Sequence, residues 1–221
     1  EDAQLASREL DLTLTGRDCG EGQRAPMCGV PFHSSEGYIG KLISKGYKVA
    51  ICEQMEDPAL AKGLVKRDVI RVITPGTVIE SELLPDKRNN YLASVYVSEN
   101  GAGVCFADIS TAQIKATRFE VSLFENELLS EISTYSPSEI ICNADIAQLP
   151  LISEFASDRS ILVTEAPDFF EKQAAQSAYR AHFGQPAREG FDNAVIAAGA
   201  AMGYIADTQK TDVGYIRDIE L

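Results

Sequence analysis

The chain has 221 residues, of which 45% are hydrophobic and 24% are charged, a balance that excludes a collagen-like or wholly disordered protein. Its formal net charge of −13 argues against a protein that coats nucleic acid or anionic membranes. No apolar run approaches the roughly 20 residues that a membrane-spanning helix needs, and no signal peptide opens the sequence.

The first part of the chain has the pattern of a small mixed α/β domain. Apolar residues at helical spacing predict helices, and short alternating or β-branched runs predict strands. The predicted elements, in chain order, are the end of a helix over 3–10, a strand over 11–15, a polar loop over 17–24, a short helix from Ser34 or Ser35 to Gly46, and strands over 47–52 and 65–74.

The second part begins with three strand-like runs joined by short turns and then alternates between helix and strand. The predicted strands cover 91–97, 103–109, 113–119, 139–142 and 161–164, and the main predicted helices cover 122–134, 168–182 and 193–208. Three antiparallel strands followed by alternating helices and strands predict an α/β sheet of ribonuclease-H-like topology. Because the last helix is rich in Ala and Gly, we expect it to pack closely.

The boundary between the two parts lies at Thr74-Pro75-Gly76-Thr77, which predicts a turn. The polar stretch after it lacks periodicity and predicts a linker. The resulting division is a first domain over 1–76, a linker over 77–90, a second domain over 91–209, and the start of a further domain over 210–221. Because the sequence starts at Glu1 and ends within an apolar pattern, we expect it to be part of a longer protein.

Charge is unevenly distributed between the two parts. Residues 1–88 carry 12 basic and 14 acidic side chains, whereas the remaining residues carry 8 and 19. The segment 41–72 alone holds seven basic residues. The first part can therefore approach phosphate, while the second part is repelled by it. A solvated charged surface would show the same pattern.

The sequence has five cysteines, an odd number without CxxC spacing: Cys19, Cys28, Cys52, Cys105 and Cys142. This usage predicts reduced, mostly buried thiols in a cytoplasmic protein. Zinc sites need ligands spaced in pairs, so we predict no metal site.

No phosphate-binding glycine loop or serine elbow occurs in the sequence. The ribonuclease-H-like outline does suggest a metal-dependent nuclease, which needs carboxylates that converge on two divalent ions. The candidates are Asp108, Glu125, Glu139 and Asp145. The first strand of the sheet carries no acidic residue, and Asp108 opens the turn Asp108-Ile109-Ser110-Thr111, so a turn-forming role is favoured for it.

Three local sequences, in this order and spacing, carry a more specific signal. They are Gly29-Val30-Pro31-Phe32-His33, the run from Tyr47-Lys48-Val49-Ala50 to Gln54, and Val72-Ile73-Thr74-Pro75-Gly76-Thr77. They resemble the mismatch-recognition domain of the MutS family of DNA mismatch-repair proteins. Asp108–Thr111, Pro137–Ile140 and the helix from Gly199 to Gln209 are similar to the connector domain of the same family.

The resemblance covers nearly the whole chain and implies its architecture: a small mixed α/β mismatch-recognition domain, then a ribonuclease-H-like connector without nuclease activity. In the family, a Phe-Xaa-Glu motif that wedges beside the mispaired base precedes the first helix, and an ATPase domain lies downstream. Neither is in this sequence. The resemblance therefore implies a non-catalytic piece without a cofactor, with ATP and Mg²⁺ confined to the ATPase domain of the parent protein.

Positions matched to the family imply which residues face mismatched double-stranded DNA. They are Arg17, Ala25, Pro26 and Met27, together with Gln54 and Arg67. The second domain matches the surface on which the family docks MutL, the partner that relays the repair signal. The matched positions there are Gln173, Gln176, Ser177, Ala178 and Arg180. The resemblance further implies a bacterial parent that forms a homodimer, with this piece a monomer.

Overall fold

The computed structural model describes residues 1–20, 22–60, 63–80, 88–120, 124–143, 146, 150–184 and 189–221. Its described helices are too short or too polar to cross a membrane.

The first domain is built from two helices and two separate β-hairpins. Its elements are α1 (Asp2–Leu10), β1 (Thr15–Asp18), β2 (Arg24–Met27), α2 (Ser35–Ser44), β3 (Val49–Gln54) and β4 (Arg67–Ile73). Strands β1 and β2 pair antiparallel in one sheet, and β3 and β4 pair antiparallel in another. The buried apolar core is small and consists of Ile43, Ile73 and Val78, with Ile39, Val49 and Ile51 packed against it.

Two predictions for this domain are wrong. The strand predicted over 11–15 begins only at Thr15, because Asp11 takes a left-handed conformation (φ 53°) that ends α1. The loop predicted over 17–24 is shorter, because Arg17 and Asp18 pair with Ala25 and Arg24 across the first hairpin. A four-residue strand of polar and small residues carries too little hydrophobic alternation to be recognised from sequence.

The second domain is a five-stranded sheet with helices on both faces. Its elements are β5 (Leu92–Ser98), β6 (Gly101–Asp108), β7 (Gln113–Phe119), α3 (Phe124–Tyr135), β8 (Glu139–Cys142), α4 (Pro150–Asp158), β9 (Leu162–Glu165), α5 (Lys172–Phe183) and α6 (Asp192–Gln209). The strand order is β7-β6-β5-β8-β9, in which β5–β6 and β6–β7 are antiparallel and β5–β8 and β8–β9 are parallel. The predicted fold class, a small mixed α/β domain followed by a ribonuclease-H-like α/β domain, is confirmed.

Each face of this sheet buries its own apolar core. One core packs α5 and α6 on the sheet through residues such as Tyr179, Ile196 and Ile205. The other packs α3 and α4 on the opposite face through Leu128, Ile132 and Ile152. Every residue of β6 is buried, because a central strand that is covered on both faces exposes neither set of side chains.

Helix α6 approaches its neighbours so closely that glycine is required at two contacts. A Cβ at Gly103 of β6 would lie 2.2 Å from the backbone of Asn193, and a Cβ at Gly199 would lie 1.9 Å from the carbonyl oxygen of Ala175. Both distances are far inside van der Waals contact. The expected close packing of the last helix therefore depends on these glycines.

The segments on either side of the second domain are also packed, the first of them partly on the first domain, whose core includes Val78. Thr77, Val78 and Asn90 are buried, although they lie in the stretch assigned from sequence to a linker; residues 81–87 of that stretch lie outside the described residues. Residues 210–221, assigned to the start of a further domain, pack on the second domain. Val213 and Ile216 join its core, and the Glu220 backbone pairs with β7 through hydrogen bonds of 2.8 and 3.0 Å.

The contact between α5 and α6 leaves no room for a side chain at Gly199. Gly199→Ala should lower the free energy of unfolding by about 2 kcal/mol, because the added methyl group meets backbone that cannot yield. The matched control is Gly37→Ala in α2, where a Cβ would meet no atom within 4 Å. The control should be neutral or stabilising by up to about 1 kcal/mol, from helix propensity alone. Urea unfolding measures both, and equal midpoints for Gly199→Ala and the native chain would contradict the packing described.

Candidate functional site

The β1–β2 hairpin places three of the matched residues on one exposed face. Arg17 lies opposite Ala25, and Thr15 lies opposite Met27. Directly opposite residues in an antiparallel pair project to the same side, and so do residues two apart in one strand. Arg17, Ala25 and Met27 therefore share a face. Pro26 lies opposite Gly16 and projects to the other side.

This face is available for contact with a partner. Arg17 and Ala25 are exposed, and 46% of Met27 is accessible although its side chain is apolar. Within the described part of the chain, the Arg17 guanidinium has no hydrogen-bond or ion-pair partner. The hairpin is held by its backbone pairing and by a 2.8 Å hydrogen bond from the Thr15 hydroxyl to the Met27 carbonyl oxygen. An exposed guanidinium beside an exposed thioether suits a surface with phosphates and apolar sugar edges.

Arg24 is a further cation in this hairpin that the sequence reasoning missed. It lies opposite Asp18, and its Nη2 donates a 2.9 Å hydrogen bond to the Gly16 carbonyl oxygen. This contact holds the guanidinium along the face opposite Arg17. The alternation that identifies β2 as a strand is too short to have placed Arg24 in advance.

Gln54 and Arg67 lie directly opposite each other at the far end of the β3–β4 hairpin. Both are exposed, and neither side chain has a partner among the described residues. The ladder continues one step further through a 2.9 Å bond from the Met55 amide to the Lys66 carbonyl oxygen. The structure thus brings these two matched residues together. They lie in a different sheet from Arg17 and Met27.

Exposed apolar side chains concentrate in the first domain. Phe32 is 90% accessible and Leu64 is 97% accessible, and the others there are Leu14, Met27, Met55, Leu60, Val69 and Ile70. Apolar side chains that are exposed singly are ordinary, whereas a contiguous apolar patch marks a place where a protein contacts a partner. Beyond residue 90, by contrast, the one large apolar side chain that is exposed among the described residues is Tyr215, in the 210–221 segment.

Helix α5 carries the five residues matched to partner docking, but they do not share a single face. Ala175, Tyr179 and Phe183 form its buried stripe against α6. On one side of this stripe lie four of the matched residues, at the i, i+3, i+4, i+7 spacing of one helix face: Gln173, Gln176, Ser177 and Arg180. Ala178 lies on the other flank and is half-buried, so the set divides into a polar stripe and one separate residue.

Asp108, the first of the carboxylates considered for a nuclease, binds the turn that follows it. Asp108 is fully buried; its Oδ1 accepts bonds from the Ser110 amide (2.9 Å), the Ser110 hydroxyl (2.7 Å) and the Thr111 amide (3.3 Å), and its Oδ2 accepts from the Asn90 amide (3.2 Å). These are the contacts of a turn-forming aspartate.

The other three candidate carboxylates do not join Asp108 in a described cluster. Glu139 is fully buried among hydrogen-bond donors, Glu125 is exposed on α3, and Asp145 lies outside the described residues. No group of three potential metal ligands occurs within the described ranges.

The prediction that the cysteines are mostly buried is wrong for the first domain. Cys105 and Cys142 are buried in the sheet, and burial raises the pKa of the Cys105 thiol to about 12. Cys19 and Cys52 are exposed and Cys28 is half-buried. Cysteine number and spacing do not report burial, and a two-stranded sheet leaves much of its surface in water.

Known proteins are similar to this chain over its whole length. The family model for MutS domain I matches residues 1–82, and the model for MutS domain II matches residues 90–217. The chain is 47% identical to the DNA mismatch repair protein MutS of Acetivibrio thermocellus, across 100% of this chain and 26% of that protein. It is 48% identical to the protein of the same name from Ruminiclostridium cellulolyticum, across 98% of this chain and 25% of that protein.

The chain thus spans about a quarter of the length of the curated relatives that it matches. The two family models match in chain order and together leave only residues 83–89 and 218–221 unmatched. The chain belongs to the MutS family of DNA mismatch-repair proteins and corresponds to its domains I and II.

Proposed function

We propose that this chain is a non-catalytic module of a mismatch-repair protein, which contacts mispaired double-stranded DNA through its first domain and a MutL-like partner through its second. The observation that carries the DNA assignment is the exposed hairpin face that joins the Arg17 guanidinium, which has no partner among the described residues, to Ala25 and Met27. The proposal assigns no cofactor to this chain. ATP and Mg²⁺ would act in the ATPase domain of the parent protein.

The chemistry of the two hairpins supports different kinds of DNA contact. Arg17 and Arg67 suit phosphate oxygens, which take most protein–DNA hydrogen bonds and carry no sequence information. Met27 offers an apolar surface to the sugars of a widened minor groove. Gln54, directly opposite Arg67, adds a neutral donor and acceptor.

Charge favours the first domain as the DNA-facing part. Residues 1–88 carry nearly balanced charge, whereas the remainder carries 8 basic and 19 acidic side chains. An acidic second domain repels the phosphate backbone and orients the molecule with its first domain toward DNA. The same acidity suits a basic surface on a protein partner.

The direct test is a salt-dependent fluorescence-anisotropy titration of this chain with a G·T duplex and its matched control, with Mg²⁺ present. We expect weak, salt-sensitive binding that does not discriminate between the duplexes, because the Phe-Xaa-Glu reader of the family is not in this sequence. Each endpoint is also run on a denaturing gel, where the DNA should remain intact. An absence of salt-sensitive binding would contradict the DNA assignment.

Arg17→Ala and Arg67→Ala should each weaken binding about equally for matched and mismatched duplexes. Each should reduce the salt slope by roughly one unit, because one phosphate contact is lost. The matched control is Arg217→Ala. Arg217 is exposed and lies in the 210–221 segment, which packs on the second domain. Its removal should leave the salt slope of DNA binding unchanged. A loss confined to mismatched DNA, with an unaltered slope, would show that these arginines do not contact phosphate.

The polar stripe on α5 is proposed as the docking surface for the MutL-like partner. Gln173, Ser177 and Arg180 are exposed along it, and its opposite face is fixed against α6. The proposed docking surface therefore lies on a helix that is held in place by its packing against α6. We further propose that the parent protein acts as a homodimer in the bacterial cytoplasm and that this chain alone is monomeric.

Arg180→Glu should weaken capture of a MutL-like protein by about tenfold or more, because it replaces the guanidinium donors at the C-terminal end of the stripe with a carboxylate that can only accept hydrogen bonds. The guanidinium makes no described ion pair, so the unfolding midpoint should stay within the error of the native chain. The control is Arg159→Glu, which changes an exposed arginine that follows α4. Surface plasmon resonance with the immobilised partner distinguishes them, and equal affinities would place the docking surface elsewhere.

The alternative of a metal-dependent nuclease is tested through Asp108. Asp108→Asn should lower the free energy of unfolding by about 1–3 kcal/mol, because the introduced amide must face at least one of four donors that now bond to carboxylate oxygens. Calorimetry with and without Mg²⁺ should give the same result for native chain and variant. Stabilisation of the native chain by Mg²⁺ that the variant lacks, together with cut DNA, would support the nuclease.

A further inference from the structure

The two domains meet at a turn that is buried from all sides. It is the 3₁₀ turn Pro75–Thr77 with its preceding residue Thr74, and both threonines are fully buried. The Asn90 side-chain amide donates to the Pro75 carbonyl oxygen at 2.9 Å, and the Gln209 amide donates to the Thr77 carbonyl oxygen at 3.0 Å. The turn is thus clamped by the start of the second domain and by the end of α6.

At the centre of this joint lies the Glu139 carboxylate of β8, which has no exposed surface. Its Oε2 faces the turn and accepts hydrogen bonds from the Thr74 hydroxyl and, at 3.1 Å, from the Gly76 amide. A Cβ at Gly76 would lie 2.8 Å from the Glu139 Cβ, so glycine is needed for this approach. One carboxylate oxygen therefore belongs to the first domain's turn.

The other carboxylate oxygen is held mainly by the second domain. Oε1 accepts from the Tyr204 hydroxyl at 2.7 Å and from the Thr164 hydroxyl at 3.2 Å. Burial and the adjacent Glu139 carboxylate raise the pKa of Tyr204, which keeps its hydroxyl protonated as a donor. Lys48 of the first domain completes the shell: its Nζ lies 3.4 Å from Oε1 and 3.0 Å from the Tyr204 oxygen.

A buried carboxylate makes this joint different from an ordinary apolar contact. An ionised group out of water costs several kcal/mol unless a countercharge and hydrogen bonds compensate. The described countercharge within reach of Glu139 is Lys48, which comes from the other domain. If the domains separated, Glu139 would lose its contacts with Thr74, Gly76 and Lys48 together.

The contacts of Glu139 with the first domain lie at the base of the β3–β4 hairpin. Val49 and Ile73 are paired at the base of the β3–β4 hairpin, and Lys48 and Thr74 are the residues next to them in the chain. Glu139 thus binds both strands of the hairpin where they leave the sheet. Gln54 and Arg67 lie at the opposite end, about 17 Å away at 3.3–3.4 Å per residue. A 10° tilt at the base would move that end by about 3 Å.

We propose that Glu139 and Lys48 are positioning residues that lock the β3–β4 hairpin, and with it the first domain, in one orientation on the second domain. The lock is charge-dependent and needs both domains. This inference rests on the proposed function and adds to it the residues that orient Gln54 and Arg67 toward DNA. Its test requires no DNA, so its failure and a failure of DNA binding are separate results.

The test measures backbone residual dipolar couplings of the whole ¹⁵N-labelled chain in a dilute alignment medium. In the native chain, one alignment tensor should fit the amides of both domains. In Glu139→Gln and in Lys48→Met, the alignment of the first domain should fall ~2-fold or more relative to the second, because a loosened domain averages its couplings. Glu154→Gln, which neutralises an exposed carboxylate on α4, is the matched control and should retain one tensor.

The double variant separates a charge pair from mere loss of packing. Lys48→Met combined with Glu139→Gln should show no greater loss of alignment than the worse single variant, because both changes act through one interaction. If Glu139→Gln does not fold, Lys48→Met alone decides, since its partly exposed side chain tolerates replacement. One shared tensor in every variant, additive losses in the double variant, or two tensors in the native chain would each overturn the proposal.

Discussion

The burial of one ionised side chain, Glu139, constrains how the two domains of this protein fit together. A carboxylate with no exposed surface needs donors on both oxygens, and here neither domain supplies them alone. The donors of the second domain are neutral hydroxyls, whereas the cation comes from Lys48 of the first. Replacing such a pair with apolar groups often costs nothing in stability, so its value lies in specifying a geometry. A different arrangement of the domains would take Lys48 away from that carboxylate.

Close backbone approach gives the second domain the rigidity that this constraint needs. Glycines at positions 103 and 199 allow α6 to sit directly on β6 and α5, and Gly76 allows the joint turn to sit on Glu139. Tyr204, which holds Glu139, is on α6, and so is Gln209, which holds the turn. Because α6 packs along the same face of the sheet as α5, the proposed partner surface and the joint share one rigid support.

Sequence patterns predicted those elements whose local signal and tertiary role agree. Strands β7 and β8 have the predicted limits, and α6 differs by one residue at each end. Strand β7 alternates buried and more exposed residues, β8 is a short apolar run, and α6 is a long run of small and apolar residues, so each has a local signal. The β1–β2 hairpin was missed because its four-residue strands are polar and exposed. The pairing of Gln54 with Arg67 depends on a register with a bulge between Ile51 and Cys52, which no local pattern encodes. The role of Glu139 was also missed, because no local pattern encodes contacts with partners that are 25 to 91 residues away in the chain.

The two domains differ in how much core each possesses, and this difference gives the joint its importance. The first domain buries only Ile43, Ile73 and Val78 in its core cluster, whereas the second has two extensive cores on a five-stranded sheet. A region with few buried contacts opens locally at low free energy. Two members of that small core, Ile73 and Val78, flank the joint turn. The order of the β3–β4 hairpin, which we propose to face DNA, is therefore coupled through one turn to whether the carboxylate beneath it has its hydrogen-bond donors.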